Sequence, residues 1–289
     1  MTRAQGPDGP STRFGGATAA DRLPPALDGT ALSGEALRVA VQCQLDSAHI
    51  ARVRDLPAQL DQFIWLISHW GEPLAYYGAG DPGAHVAHSG VHRVRFDPEA
   101  AARRELHALD GPLAAHSAQS LREPRPPYFA MLMVHQGWQD GCPGENGESV
   151  LVEWRRAFEA LAHRHADRFA GWMETLMGEV PFPDGSAKAL VYRLPDPASE
   201  YDLGVRLKYE LLDHWRTIPT NQARRAEEAL TALLAAAATV EHEVQLSSGE
   251  CVIVDNNRWG HGRRSVRGIR SGAHGPEINP RELWSVTLG

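Results

Sequence analysis

The chain has little of what marks secreted, membrane-spanning or nucleic-acid-binding proteins. It contains three cysteines, Cys43, Cys142 and Cys251, in 289 residues. These are too few and too scattered for a disulfide framework or a zinc ribbon, and reduced thiols in a cytoplasmic protein are the expectation. No run of about 18 apolar residues is present to cross a bilayer. The stretch from Met1 to Ala20 lacks the apolar segment of a secretory signal. A basic surplus is missing too: 29 Lys and Arg against 36 Asp and Glu give a net charge of −7. That excludes broad nucleic-acid binding, because a surface that tracks phosphates is usually basic. No internal repeat or heptad is visible, so solenoids and coiled coils are excluded.

What is present is a hydrophobic content of 43% in a chain long enough to bury a large core. Residues 1–30, rich in Gly, Pro, Ala, Thr and Ser, are expected to form a flexible arm, leaving 31–289 as one domain. Leu32 to Leu45 is an early strand or helix. Pro57 to Trp70 is predicted to be an amphipathic helix, with Leu60, Phe63, Ile64 and Ile67 at helical spacing and Gly71 as its stop. Val150 to His165 changes from strand to helix period. Asn221 to Val240 is an alanine-rich helix with Leu230, Leu233 and Leu234 on its apolar side. Glu243–Leu246 and Cys251–Asp255, separated by Ser-Ser-Gly, have the look of a hairpin.

Two histidine segments carry the chemistry. In Gly249 to Arg264, four apolar residues from Cys251 to Val254 form a predicted buried strand, Asp255-Asn256-Asn257 ends it, and His261 follows between glycines that permit close backbone approach. A histidine just beyond an apolar strand is how an open metal site is built. The second segment, Gly111 to Ser120, holds His116 ahead of a proline-rich turn, Pro124 to Pro127, and the apolar run Tyr128 to Val134.

Taken in order, these segments resemble the iron(II)- and 2-oxoglutarate-dependent oxygenases of the taurine-dioxygenase and clavaminate-synthase type. Members of that family have a His-x-Asp/Glu motif, a proline-rich turn, an apolar strand and a Gly-Gly-Glu-Ser/Thr loop. Then come Gly-Asp-x-x-x-x-Asp-Asn, a distal His-Gly-Arg and an arginine near the end. Here the corresponding residues are His116-Ser117-Ala118, Asn146-Gly147-Glu148-Ser149, Gly249 to Asn256, His261-Gly262-Arg263 and Arg281-Glu282-Leu283-Trp284. The resemblance runs from about Gly71 to the end. It implies a mainly β fold with flanking α-helices, a double-stranded β-helix (jelly roll, cupin-like) with the metal at its open mouth. His116 and His261 become the metal ligands. Ser149, Arg281 and Arg263 become the co-substrate residues, because a planar guanidinium suits bidentate capture of the distal carboxylate of 2-oxoglutarate. Nineteen residues separate His261 from Arg281, longer than the family spacing, so Arg270 and Arg267 compete with Arg281 for that role.

The chain departs from the family at Ala118, where an iron-binding carboxylate is expected. Alanine cannot ligate iron, and its presence opens one coordination position and removes one negative charge, so a chloride ion has room to bind. The same His-x-Ala or His-x-Gly variant occurs in related non-heme iron halogenases. The cofactors implied are Fe(II), 2-oxoglutarate and chloride, with dioxygen as co-substrate. Two other carboxylates compete for the place of the missing ligand: Glu123, seven residues after His116, and Asp97, five after His92. His85 and His88 have no carboxylate two positions on.

Three functions follow. The first is a halogenase that chlorinates an unactivated C–H bond of a small molecule in secondary metabolism, a nucleotide or a free amino acid. The second is a hydroxylase, desaturase or cyclising oxygenase, and the third a non-catalytic binding protein on the same scaffold. An acyl group on a carrier protein is a further substrate type, with no docking signal in the sequence. Gln119, Ser120, Trp138, Arg193 and Asn257 are candidate substrate contacts, and the arginines Arg263, Arg264, Arg267 and Arg270 form either an anion site or a solvated basic strand.

Overall fold

Alternation of apolar residues decides the architecture. In the computed structural model, which describes residues 23–75, 90–102, 108–208 and 210–289, Phe129, Met131 and Met133 turn to one side of their strand and Ala130 and Leu132 to the other. Val252 and Val254 alternate in the same way with Cys251 and Ile253. Both strands are covered on both faces, hence their unbroken apolar runs.

They form the centre of a six-stranded sheet in the order β1 (Leu27–Asp28), β2 (Ile50–Arg54), β12 (Cys251–Asp255), β5 (Tyr128–His135), β16 (Glu282–Leu288) and β3 (His92–Arg95). A four-stranded sheet faces it, in the order β11 (His242–Val244), β6 (Ser149–Glu153), β13 (Trp259–Arg263) and β4 (Leu113–His116). Side chains from both sheets, among them Phe129, Met131, Val252, Leu283, Leu151 and Trp259, share one buried cluster, which is the interior of the sandwich. The outer face of the six-stranded sheet is covered by α1 (Gly34–Ala48) and α2 (Leu60–Ile67). The short α3 (Pro98–Ala102) follows β3. Behind the smaller sheet lie α4 (Trp154–Arg164), α5 (Ala166–Met177), α6 (Leu211–Arg216) and α7 (Asn221–Ala237), packed through Trp154, Phe158, Trp215 and the Ala/Leu face of α7. Three two-stranded ribbons complete the described residues: β7 (Glu179–Pro181) with β8 (Ala187–Ala189), β9 (Val191–Arg193) with β10 (Leu203–Val205), and β14 (Ile269–Gly272) with β15 (Gly275–Ile278). The result is the expected jelly roll with helices on both sides.

Several local expectations need correction. Glu243–Leu246 and Cys251–Asp255 are not a hairpin. β11 pairs with β6 and β12 with β2 and β5, so the Ser-Ser-Gly stretch crosses from one sheet to the other. Gly249 makes that crossing possible, with φ +85° and its missing Cβ facing the Leu56 carbonyl at 2.9 Å. Of Leu32 to Leu45, an early strand or helix by sequence, the residues from Gly34 onward are helical, in α1. The segment expected to be an arm enters the sheet before residue 30: Leu27 and Asp28 pair in parallel with Val53 and Arg54. The remainder of that arm, residues 1–22, lies outside the described residues, as do His85 and His88.

Candidate active site

β4 and β13 are antiparallel neighbours, and in their register His116 stands directly opposite His261. The two imidazole centroids are 4.4 Å apart. His261 also stacks on Phe129 at 3.9 Å and 14°. The glycines beside it are required by space: a Cβ on Gly260 would lie 2.4 Å from Cζ2 of Trp154, and one on Gly262 2.5 Å from the Leu113 carbonyl oxygen. A larger residue at either position would push β13 away from α4 or from β4.

Nδ1 of His116 lies 2.9 Å from the Ala114 carbonyl. A carbonyl only accepts, so the proton sits on Nδ1 and Nε2 carries the lone pair. Burial lowers the pKa of His116 from its ordinary 6.5, opposed by the Ala114 hydrogen bond and the charge of Glu210. His261 is pushed well below 6.5 by burial and then by His116. Neutral imidazole is the form that ligates a metal. Nδ1 of His261 is buried without a hydrogen-bond partner. Two adjacent neutral imidazoles, one with an unmet ring nitrogen, fit a divalent metal ion. Among the described residues no group of three or more His, Cys, Asp and Glu lies together.

Both histidines line a cavity of about 430 Å³, within the range of small-molecule sites. Ala118 lines it too, buried, with its backbone held by the fully buried Asn256. The Ala118 N–H donates to Asn256 Oδ1 at 2.9 Å, and Asn256 Nδ2 donates to the carbonyls of Ala118 at 3.0 Å and Pro126 at 3.1 Å. Asn256 thus acts as a strand partner for Ala118, the residue that stands where the family resemblance leads one to expect a carboxylate. Ser149, Arg263 and Arg281 form another part of the wall. Arg281 is 4% exposed. Its guanidinium donates to the Gly147 carbonyl at 2.8 Å and leaves Nε unpartnered. Burial and the neighbouring Arg263 lower its pKa to about 9. Gly147, at φ +71°, has no room for a Cβ, which would lie 2.8 Å from Arg281 Nε. Arg263 donates to the carbonyls of Leu109 and Gly111, its Nε and Nη1 are unmet, and burial lowers its pKa to about 10. Two desolvated cations in one cavity create a strong demand for an anion.

The remaining candidates divide. Gln119 and Ser120 line the cavity, and Gln119 donates to Thr287 Oγ1 at 3.2 Å. Arg270 and Arg267 do not line it: Arg270 pairs with Glu277 and packs over Trp138 at 4.1 Å, and Arg267 pairs with Asp140 and Glu145. Trp138, Arg193 and Asn257 also lie outside the wall, and Asn257 accepts from the Tyr192 hydroxyl at 2.5 Å. Glu123 pairs with Arg206, and Asp97 caps α3 through the N–H groups of Glu99 and Ala100. Neither carboxylate replaces the one absent at residue 118. The sequence places Asn256 only at the end of a buried strand and of a matched motif, with no contact to the cavity, and gives Lys208 and Glu210 no place at all. The first had a signal, a polar residue ending a buried strand; the other two had none, because a turn far along the chain brings them in.

The family profile described as "Taurine catabolism dioxygenase TauD, TfdA family" matches residues 16–287. No curated protein matches by sequence. Among solved structures, asparagine oxygenase with Fe(II), 3-hydroxyasparagine and succinate aligns with TM-score 0.59 at 17% identity, covering 87% of this chain and 78% of that one. The non-heme iron oxygenase OrfP with Fe and α-ketoglutaric acid gives 0.55 at 15%, covering 88% and 79%. PvcB from Pseudomonas aeruginosa gives 0.59 at 15%, covering 92% and 83%. These likenesses establish the fold. With the profile spanning nearly the whole sequence, the chain belongs to the TauD, TfdA dioxygenase family.

Proposed function

We propose that this protein is an iron(II)- and 2-oxoglutarate-dependent oxygenase that oxidises an aliphatic C–H bond of a small molecule. The observation that carries the reading is His116 facing His261 across β4 and β13, in the cavity that also holds Arg281. The two imidazoles hold the metal, and the Ala114 carbonyl keeps the His116 proton on Nδ1. Arg281 takes the distal carboxylate of 2-oxoglutarate, with Ser149 in the same wall, and Arg263, equally buried there, adds positive field. Phe129, Met131 and Leu283 keep bulk water from the reacting centre. When bound, iron and 2-oxoglutarate supply the oxidising power by reductive use of dioxygen, with release of succinate and carbon dioxide.

Hydroxylation is the first reading of the outcome, since the asparagine oxygenase and OrfP structures hold hydroxylated amino acids. Chlorination is the second, favoured by Ala118, which leaves one metal position to a ligand from solution. The test is anaerobic titration of the protein with Fe(II) and 2-oxoglutarate, following the visible metal-to-ligand charge-transfer band with and without chloride. A band indifferent to chloride, with product heavier by one oxygen, supports hydroxylation. A band that moves with chloride, with a chlorinated product, supports the second reading. Absence of any band refutes the proposal.

A further inference from the structure

Among the described residues, the cavity wall carries two kinds of charge, in different places. Arg263 and Arg281 are buried and face the part assigned to 2-oxoglutarate. Lys208 and Glu210 are the other charged side chains apart from histidine, with side chains 26% and 40% exposed and their charged groups 2.5 Å apart. They therefore stand toward solvent, at the entrance, while the arginines are deep. Glu210 is the one carboxylate of the described wall.

The place of this pair is fixed from Ser117. The Ser117 N–H, next to His116, donates to the Leu207 carbonyl at 2.9 Å, and the Ser117 hydroxyl donates to the Val205 carbonyl at 2.7 Å. The segment leading into Lys208 is thereby stitched to the residue after the first histidine. Glu210 is near enough for its charge to act on the His116 imidazole. A group bound between Lys208 and Glu210 is consequently held beside the metal ligands, where a C–H bond must be presented.

We propose that Lys208 and Glu210 recognise a substrate bearing both an ammonium and a carboxylate, that is, a free α-amino acid, with Glu210 receiving the ammonium and Lys208 the carboxylate. The inference rests on the oxygenase reading of the cavity. Before binding, the two side chains neutralise each other, and a zwitterion replaces one ion pair by two with no charge left unmatched. A purely anionic molecule leaves Glu210 facing like charge, and a purely cationic one does the same to Lys208. An aminoacyl group on a carrier protein lacks the carboxylate and leaves Lys208 unmatched. Gln119 and Ser120, in the same wall, add neutral hydrogen bonds suited to a polar side chain.

The experiment uses the anaerobic Fe(II)–2-oxoglutarate form of the full chain, so that the charge-transfer band first reports that the co-substrate site is intact. A library of free α-amino acids is then titrated in, each hit being paired with its N-acetyl and carboxamide derivatives. At least one free amino acid is expected to perturb the band saturably, and both derivatives to bind at least tenfold more weakly. Glu210→Gln and Lys208→Met are expected to weaken that amino acid at least tenfold without changing the 2-oxoglutarate dissociation constant by more than twofold. Glu210→Asp should restore part of the affinity. An intact band that no free amino acid perturbs overturns the proposal. So does a hit whose affinity survives blocking of both groups, or survives Glu210→Gln. Loss of the band itself would instead refute the oxygenase reading.

Discussion

Asn256→Ala tests whether the ligand position is built by backbone or by side chains. Asn256 is fully buried and makes three side-chain hydrogen bonds, one accepted from the Ala118 N–H and two donated to the carbonyls of Ala118 and Pro126. At a net of about 1 kcal/mol each, their loss amounts to about 3 kcal/mol, and the buried groups left unmet push the figure upward. For a chain of this size that corresponds to a fall in melting temperature of roughly 6–12 °C. The same change frees Ala118 and the His116 segment, so Fe(II) affinity should fall as well. Asn256→Asp is expected to be no better, because a carboxylate keeps the acceptor for the Ala118 N–H but faces two carbonyl oxygens with no donor. Asn257→Ala, which removes one contact to Tyr192, should cost about 1 kcal/mol and leave metal binding unchanged. Thermal unfolding and Fe(II) titration of the three variants decide the matter. An Asn256→Ala protein that melts within about 2 °C of the parent and binds Fe(II) equally would refute the reasoning, since a margin that small is under 1 kcal/mol.

Arg281→Gln should raise the 2-oxoglutarate dissociation constant roughly 10- to 100-fold by removing charge-assisted hydrogen bonds, read from the charge-transfer titration, with Fe(II) affinity little altered. Metal-free protein should lose stability as pH falls below about 6.5, because His116 and His261 have lowered pKa values when folded and the unfolded chain takes up protons first. Chemical denaturation between pH 7.5 and 5 checks this, and His261→Phe should flatten the slope. Gly262→Ala places a methyl group 2.5 Å from the Leu113 carbonyl, prises β13 from β4 and should abolish Fe(II) binding in a protein that still shows its helical signal by circular dichroism. Ala118→Asp supplies a carboxylate two residues after His116, where the family has one and this chain does not, so any chloride response of the visible band should disappear.

Legibility from sequence followed the range of the interaction involved. The strand at Cys251–Asp255, the alanine-rich helix near Asn221–Ala237 and the apolar run at Tyr128 were visible because periodicity is a local property. Glycine beside His261 was readable as close approach, and the Trp154 ring and the Leu113 carbonyl are what approaches. The supposed hairpin at Glu243–Asp255 misled because turn chemistry says where a chain bends and not which sheet receives it. Lys208 and Glu210 left no trace, since the N–H and hydroxyl of Ser117 bring them to the wall across some ninety positions of chain, a pairing that no local pattern announces. Arg270 and Arg281 are separated by β15, and sequence spacing alone could not tell the surface ribbon from the buried strand that follows it.

The pairing of His116 with His261 joins residues 145 positions apart in the chain. Neither imidazole meets the other until β4 has docked along β13, which itself needs β6 and the helices behind it. If the pair holds iron as proposed, a copy that carries the metal must already have closed its smaller sheet. On that reading the pair would work as an internal inspection mark: misregistered or partly unravelled copies could not assemble the reactive centre, and oxidative chemistry would be confined to molecules whose walls are already in position to contain it.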